Sequence, residues 1–297
     1  MTGHFEPRER APGEVSANAP AGPPGAGSGP LAGLGPLLQE ADQLLAESVR
    51  RGLALRLAGS AGVLRHCRRC RDMVTALDRE LPRDLDFFAY GKQQRQLGRM
   101  FADLGYRADP SVEFSQEYGI DRLIYLGHAT ATKVDVFLDA LRMSHTIEFK
   151  GRLDAPRPTA QAADLLLAKL QIHEITEKDA KDIAALLAAH PLGDGDDRND
   201  PLDAPRIIGL VRSDWGLCYT ALANLAVADK LLAGWGSAGD VAVTARARVE
   251  GLRQHIELAP KSLRWKARAR VGTRVRWYEE VGDSEQQGQG DAGIRER

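Results

Sequence analysis

Apolar residues recur at helical spacing near the start of the chain and again through its second half. From Leu37 the segment LLQEADQLLAESV places them three and four positions apart, which predicts an amphipathic helix. A second helix is predicted at 92–104, before Gly105. Helical spacing returns from residue 159 and, after an acidic, turn-rich break at 192–201, in the segments 207–233, 241–256 and 261–270.

Short apolar or alternating runs lie between the first helices and residue 159. They predict strands at 53–58, 84–88, 112–114, 122–126, 133–138 and 146–149. Strands clustered after a helix favour an α/β (α+β) fold, in which a mixed β-sheet is flanked by helices and followed by a helical C-terminal region.

Composition divides the chain further. Residues 1–35 are rich in Pro, Gly and Ala and have few large apolar groups, so we expect a disordered tail. We expect one domain at 36–192, a mainly helical region at 201–282, and a second disordered tail at 283–297.

The charge balance limits the classes of partner. The 297 residues include 40 Lys and Arg against 41 Asp and Glu, so no global field draws the protein to nucleic acid or to a membrane. No apolar run is long enough to span a bilayer, and no signal peptide precedes the first helix. These features predict a cytoplasmic protein without a membrane partner.

Three aspartates occupy two of the predicted strands. In RDLDFF, Asp84 and Asp86 alternate with apolar residues and therefore share one face of a strand. In KVDVFLD, Asp135 lies on the face opposite Val134 and Val136. If the two strands are neighbours, the three carboxylates form one cluster.

A cluster of this kind would be destabilised by charge repulsion unless cations occupied it. Carboxylate oxygens select hard divalent ions, so the sequence predicts Mg²⁺ or Mn²⁺ as the cofactor. The alternative is a solvated strand end or a turn cap. Upstream, the turn Gly59-Ser60 opens a helix and offers backbone N–H groups and a hydroxyl to a phosphate.

The order LRLAGSAGVLRHCR, RDLDFF and KVDVF resembles the polymerase-β-type nucleotidyltransferase superfamily, and within it the AbiEii-like toxin group. The resemblance covers residues 53–190. It implies transfer of NMP from an NTP, ATP for example, to an acceptor hydroxyl, with Asp84, Asp86 and Asp135 as catalytic, metal-binding residues. It also implies nucleotide contacts from Gly59 and Ser60.

In the AbiEii-like group a helix with a Lys precedes a helix with two aspartates, and LLLAKLQIHEITEKDAKDI is similar to that pattern. The match implies nucleotide binding by Lys169, Asp179 and Asp182. Where the group carries an Arg in the second helix, this chain has Glu177. Taken alone, Lys169 could extend to solvent, and Asp179 could pair with Thr176 in a capping box.

The C-terminal region is rich in basic side chains, with aromatic residues between them, which is typical of an RNA-binding surface. Its members are Arg246, Arg248, Arg253, Lys261, Arg264, Lys266, Arg268, Arg270, Arg274 and Arg276, with Trp265, Trp277 and Tyr278. The predicted partners are therefore an NTP, an RNA or tRNA acceptor and, from the toxin resemblance, an antitoxin protein. Two alternatives stay open: an antibiotic-type enzyme acting on a small molecule, and a non-catalytic module that binds a nucleotide or a partner.

Overall fold

The computed structural model describes residues 34–67, 78–109, 122–128, 130–193, 201–235 and 239–280. The helices are α1 (Leu34–Arg50), α2 (Gly59–His66), α3 (Gln94–Asp103), α4 (Ala162–Leu170), α5 (Glu177–Ala189), α6 (Ala204–Val211), α7 (Trp215–Ala233), α8 (Gly239–Leu258) and α9 (Leu263–Val271). The strands are β1 (Leu55–Leu57), β2 (Leu85–Ala89), β3 (Tyr106–Ala108), β4 (Arg122–Gly127), β5 (Lys133–Leu138), β6 (Ala140–Arg142), β7 (Thr146–Glu148), β8 (Leu192–Gly193) and β9 (Leu202–Asp203). Short 3₁₀ turns occupy Gly91–Gln93 and Gly272–Arg274.

Five strands form one mixed sheet in the order β1-β2-β5-β4-β3. Strands β2 and β5 run parallel, whereas the other neighbouring pairs are antiparallel. The pairs β6-β7 and β8-β9 are separate two-stranded units. A mixed sheet flanked by helices confirms the predicted fold class.

The sheet separates two hydrophobic clusters because side chains alternate along each strand. Phe87 and Val136 belong to one cluster, which packs against α1 and α3. Phe88 belongs to the other, which includes side chains of α2, α4, α5, α7 and α8. The face that carries Asp86 and Phe88 is therefore directed toward the second group of helices.

The second cluster joins residues from both sides of the acidic break, from Leu34 to Ile256. Its members on α5, such as Leu186, belong to the same cluster as side chains of α7 and α8. Most of the break, residues 194–200, lies outside the described ranges, so the predicted domain boundary stays a prediction. Across the part of the chain that the structure describes, no helix combines the length and hydrophobicity needed to cross a membrane.

Several element boundaries differ from the prediction. The single helix predicted at 207–233 is wrong, because the chain breaks after α6 and the Asp214 side chain caps α7 by accepting from Leu217 N at 3.0 Å. Strands β3 and β6 were not predicted, since three residues give too little alternation to detect. Helix α1 begins at Leu34, inside the predicted tail. The strand predicted at 112–114, the rest of the first tail and the second tail lie outside the described residues.

Candidate active site

Asp86 on β2 lies directly opposite Asp135 on β5 in the parallel pairing. Asp84 occupies the bend just before β2 and is half-buried, as is Asp86. Asp135 is 2% exposed. The structure thus brings the three predicted carboxylates to the same end of two adjacent central strands.

The carboxylates interact electrostatically. Burial raises the pKa of Asp86 to about 7, and the charges of Asp84 and Asp135 add to this shift. The cations of Lys169 and Arg122 lower the pKa, but by less. A carboxyl group with this pKa marks a place where negative charge is crowded and where a cation would be stabilised.

Asp135 already has basic partners. Arg122 on β4 donates from Nε to Oδ1 at 3.2 Å, and its Nη2 lies 2.8 Å from Oδ2. Lys133 Nζ lies 3.5 Å from the same Oδ2. The guanidinium of Arg122 also stacks over Phe137, 5.2 Å from the ring centroid.

This pairing bears on the predicted metal. Within the described ranges, no three His, Cys, Asp or Glu side chains stand in an arrangement that could hold a metal ion. The donor chemistry, carboxylate oxygens only, nevertheless suits Mg²⁺ or Mn²⁺. For Asp135 to join Asp84 and Asp86 as a metal ligand, its carboxylate would have to share or exchange the bonds from Arg122.

The Gly-Ser turn lies against the carboxylate of Asp86. Gly59 has a φ of +54°, and a Cβ built on it would lie 1.8 Å from Asp86 Oδ2. The backbone supports this contact, because Ala58 N donates to the carbonyl oxygen of Asp86 at 2.7 Å. Glycine is therefore required at position 59 both by its dihedral angle and by the space available.

Ser60 is buried beside the turn and donates from Oγ to Asp182 Oδ2 at 3.3 Å. Lys169 Nζ, on α4, lies 2.8 Å from Asp179 Oδ1 and 3.1 Å from Asp182 Oδ2. Asp179 also forms the predicted capping box with Thr176, which confirms that interpretation. The structure therefore brings together the four side chains predicted at Ser60, Lys169, Asp179 and Asp182.

Lys169 does not extend to solvent, since its side chain is only 12% exposed. Burial alone would lower the pKa of Lys169, but the charges of Asp182 and Asp179 outweigh that effect and raise it. The ammonium group is therefore held in its charged form, near enough to Asp86 to lower the pKa of that carboxyl.

Arg79 completes this network and was missed by the sequence reasoning. Its Nε donates to Asp182 Oδ1 at 2.5 Å and its Nη2 to Asp182 Oδ2 at 2.9 Å, with both side chains almost fully buried. Arg79 lies in the segment before β2, and no local pattern around it distinguishes it from a surface arginine.

Comparison with known proteins adds little to this geometry. No protein-family model matches the chain, and none of the curated proteins is significantly similar to it in sequence. The solved structure of ANT(2")-Ia in complex with adenylyl-2"-tobramycin is 12% identical, with a TM-score of 0.32, over 52% of this chain and 89% of that one. JHP933 from Helicobacter pylori is 13% identical, with a TM-score of 0.29, over 74% of this chain and 91% of that one. TM-scores this low establish neither a shared fold nor a shared function, and membership of the AbiEii-like group stays a prediction.

Proposed function

We propose that the chain is a metal-dependent nucleotidyltransferase that moves NMP from an NTP to an acceptor hydroxyl and releases pyrophosphate. The observation that carries the proposal is the direct pairing of Asp86 with Asp135, with the glycine turn at Gly59 packed on the first of these carboxylates. A structural role alone does not require two acidic side chains side by side on central strands, because their repulsion opposes folding.

In this reaction the acceptor oxygen forms a bond to the α-phosphorus, and the bond from that phosphorus to the oxygen between the α- and β-phosphates breaks, so that pyrophosphate leaves with that oxygen. The proton of the hydroxyl passes to a carboxylate of the cluster. A divalent cation held by Asp84, Asp86 and Asp135 would favour loss of that proton and neutralise charge on the leaving pyrophosphate. The N–H groups at the start of α2, at Gly59 and Ser60, are suited to bind a phosphate.

The charges around Lys169 support its role as a phosphate ligand. Asp179 and Asp182 carry two negative charges, and Lys169 and Arg79 carry two positive ones. Because Arg79 binds both oxygens of Asp182, Lys169 does not have to neutralise both aspartates by itself. Its ammonium group is positioned by carboxylates and still able to attract a phosphate.

For the acceptor we propose the end of an RNA, such as a tRNA. Lys266, Arg270 and Arg274 are exposed and make no side-chain hydrogen bond or ion pair to the described residues, so they are available for RNA phosphates. The alternatives are a hydroxyl of a small molecule and a non-catalytic module. An antitoxin partner follows only from the resemblance to the toxin group.

The proposed function is tested by incubating the protein with each of the four NTPs, labelled at the α-phosphate, together with Mg²⁺ and total RNA. Transfer to RNA, lost in Asp86→Asn and Asp135→Asn, is the expected result. Label on small molecules instead of RNA would favour the alternative, an antibiotic-type enzyme that acts on a small-molecule hydroxyl. Absence of label from every acceptor, with NTP binding retained, would contradict the enzymatic proposal.

A further inference from the structure

A cavity of about 660 Å³ lies apart from the carboxylates. It is open to solvent on one side and is bordered by the β6-β7 hairpin, the start of α7, helix α9 and the segment 276–279. None of the residues of the candidate active site lines it. Its volume is in the range of sites that bind small organic molecules or single nucleotides.

Aromatic side chains form part of its wall, beside polar and charged groups. Trp215, Trp265, Trp277 and Tyr278 line the cavity. The ring of Trp277 meets those of Trp215 and Tyr278 edge to face, with centroids 6.2 and 5.4 Å away. Stacking on His173 at 3.6 Å holds Tyr278 in place. The wall is therefore rigid before any ligand enters.

Hydrogen bonds also fix the segment that carries Trp277. The indole Nε1 donates to Thr220 Oγ1 at 3.1 Å, and Glu279 N donates to the carbonyl oxygen of Ser144 at 3.0 Å. Gly216 provides the space for this approach, since a Cβ there would lie 2.6 Å from the carbonyl oxygen of Trp277. The aromatic surface is thus tied to α7 and to the β6-β7 hairpin.

Two arginines at the cavity lack a carboxylate partner among the described residues. Arg264 is exposed and makes no side-chain hydrogen bond or ion pair there. Arg268 donates only to backbone carbonyl oxygens, including that of Gly272 at 2.6 Å, and its guanidinium lies 4.9 Å from the ring centroid of Trp215. Positive charge that is not neutralised therefore borders an aromatic wall.

The two carboxylates that line the cavity, Asp214 and Glu279, form no ion pair with Arg264 or Arg268. Arg276 is paired with Glu280 at 2.8 Å. Asp214 also lines the cavity, but its carboxylate accepts the capping hydrogen bond from Leu217 N. Glu279 is exposed, as Arg264 is, and makes no side-chain hydrogen bond or ion pair to the described residues.

We propose that this cavity binds a nucleotide unit, with the base stacked on the tryptophan wall and the phosphate held by Arg264 and Arg268. Aromatic faces and guanidinium groups in one cavity are the combination by which proteins bind single-stranded nucleic acid. The bound nucleotide could be a free mononucleotide or one nucleotide of an RNA strand, since both offer the same base and phosphate. The proposal does not rest on the transfer reaction, and its test is carried out without divalent metal.

Tryptophan fluorescence measures binding at this cavity directly. Of the four tryptophans in the chain, Trp215, Trp265 and Trp277 line the cavity, and only Trp235 does not. AMP in EDTA should quench the emission, and it should do so equally in wild type and in Asp86→Asn, whose carboxylate site is disabled. Ribose 5-phosphate, which has the phosphate but no base, should bind much more weakly.

A matched pair of variants identifies the site. Arg264→Ala should weaken AMP binding by about tenfold, the effect of losing one charge-assisted hydrogen bond. Arg99→Ala removes the same charge from an exposed position on α3 that does not line the cavity, and should change the affinity less than about twofold. Both side chains are exposed, so neither variant should unfold the protein.

Equal losses in the two variants, no quenching by AMP, or equal binding of AMP and ribose 5-phosphate would overturn the proposal. A short single-stranded oligoadenylate separates the two sources. Tighter binding of the oligomer than of AMP, with the same dependence on Arg264, assigns the cavity to an RNA strand. Equal affinities assign it to a free nucleotide.

Discussion

Gly59 and Asp86 are in contact across the turn that opens α2, and a Cβ on Gly59 would lie 1.8 Å from Asp86 Oδ2. The turn and the carboxylate therefore cannot be changed independently. Any side chain at position 59 has to move the carboxylate that pairs with Asp135.

Gly59→Ala should abolish NTP-dependent stabilisation and transfer activity, because the methyl group displaces the carboxylate. Gly52→Ala is the matched control, since Gly52 has a φ of +68° but nothing within 4 Å of its added Cβ. Both variants should lose about 1 kcal/mol of stability from the left-handed backbone. Full activity in Gly59→Ala would show that the contact does not matter.

Divalent metal should raise the melting temperature, more so with an NTP present. At a hundredfold excess over Kd the gain is about 2.7 kcal/mol, which corresponds to roughly 5 °C or more. Asp86→Asn should lose the NTP-dependent gain in a thermal melt. Asp103→Asn, which changes an exposed carboxylate paired with Arg51, should keep it. If Asp86→Asn kept the full shift in melting temperature, Asp86 would not belong to the metal and NTP site.

Without divalent metal, Asp86 should lower the stability of the protein as the pH rises from about 4 to 7. The pKa of Asp86 is about 7 in the folded protein against a usual 3.8, so in this range the folded state keeps a proton that the unfolded state has lost. Urea denaturation in EDTA at several pH values measures the slope, and Asp86→Asn should flatten it. Stabilisation by Mg²⁺ should grow over the same range, because protons then compete less. Identical slopes in wild type and variant would contradict the burial of this carboxylate.

Asp182→Ala should destabilise the protein far more than Asp179→Ala. Asp182 is fully buried and accepts from Arg79, Ser60 and Lys169, so its loss leaves the buried Arg79 without a carboxylate partner among the described residues, at about 3–5 kcal/mol. Loss of Asp179 removes a helix cap and one ion pair, at about 1–2 kcal/mol. Urea denaturation of the two variants measures the loss in the free energy of unfolding. Equal losses would contradict this prediction.

Replacing Lys266, Arg270 and Arg274 by Ala should weaken RNA binding and reduce its salt dependence. The slope of log K against log salt should become shallower by about two, since three fewer phosphates are neutralised. Removing Arg95, Arg99 and Arg107 instead takes the same charge from exposed positions elsewhere and serves as the control. Filter binding at several salt concentrations compares the two triple variants. Equal slopes of log K against log salt in the two triple variants would show that the C-terminal surface does not bind RNA.

The sequence predicts the central part of the site because strand periodicity is strong there. Alternation in RDLDFF and KVDVFLD is sufficient to put Asp86 and Asp135 on one face, and the pairing of β2 with β5 makes them neighbours. Arg79 and Arg122 could not be found in this way. Each is a single basic residue whose partner lies far away or on another strand, and a long side chain gives no periodic signal about which carboxylate it will reach.

The basic C-terminal region shows what amino-acid composition cannot predict. Some of its arginines bond within the protein, for example Arg246 with Asp229, and Arg248 with the carbonyl oxygens of Leu187 and Ala188. A count of basic residues cannot separate such structural side chains from free ones. The contacts in the structure show which basic side chains have no partner among the described residues, and these few form the candidate RNA-binding surface.

The shared hydrophobic cluster has a consequence for the protein during its synthesis. Helix α5 carries Asp179 and Asp182, but the helices α7 and α8 that cover its apolar face leave the ribosome later. At about 5–20 residues per second, those helices follow several seconds after α5. We expect a nascent chain that stops before α7 to contain every carboxylate of the site but not the helices that hold α5 in place, so the proposed activity should begin only after α7 and α8 have been synthesised.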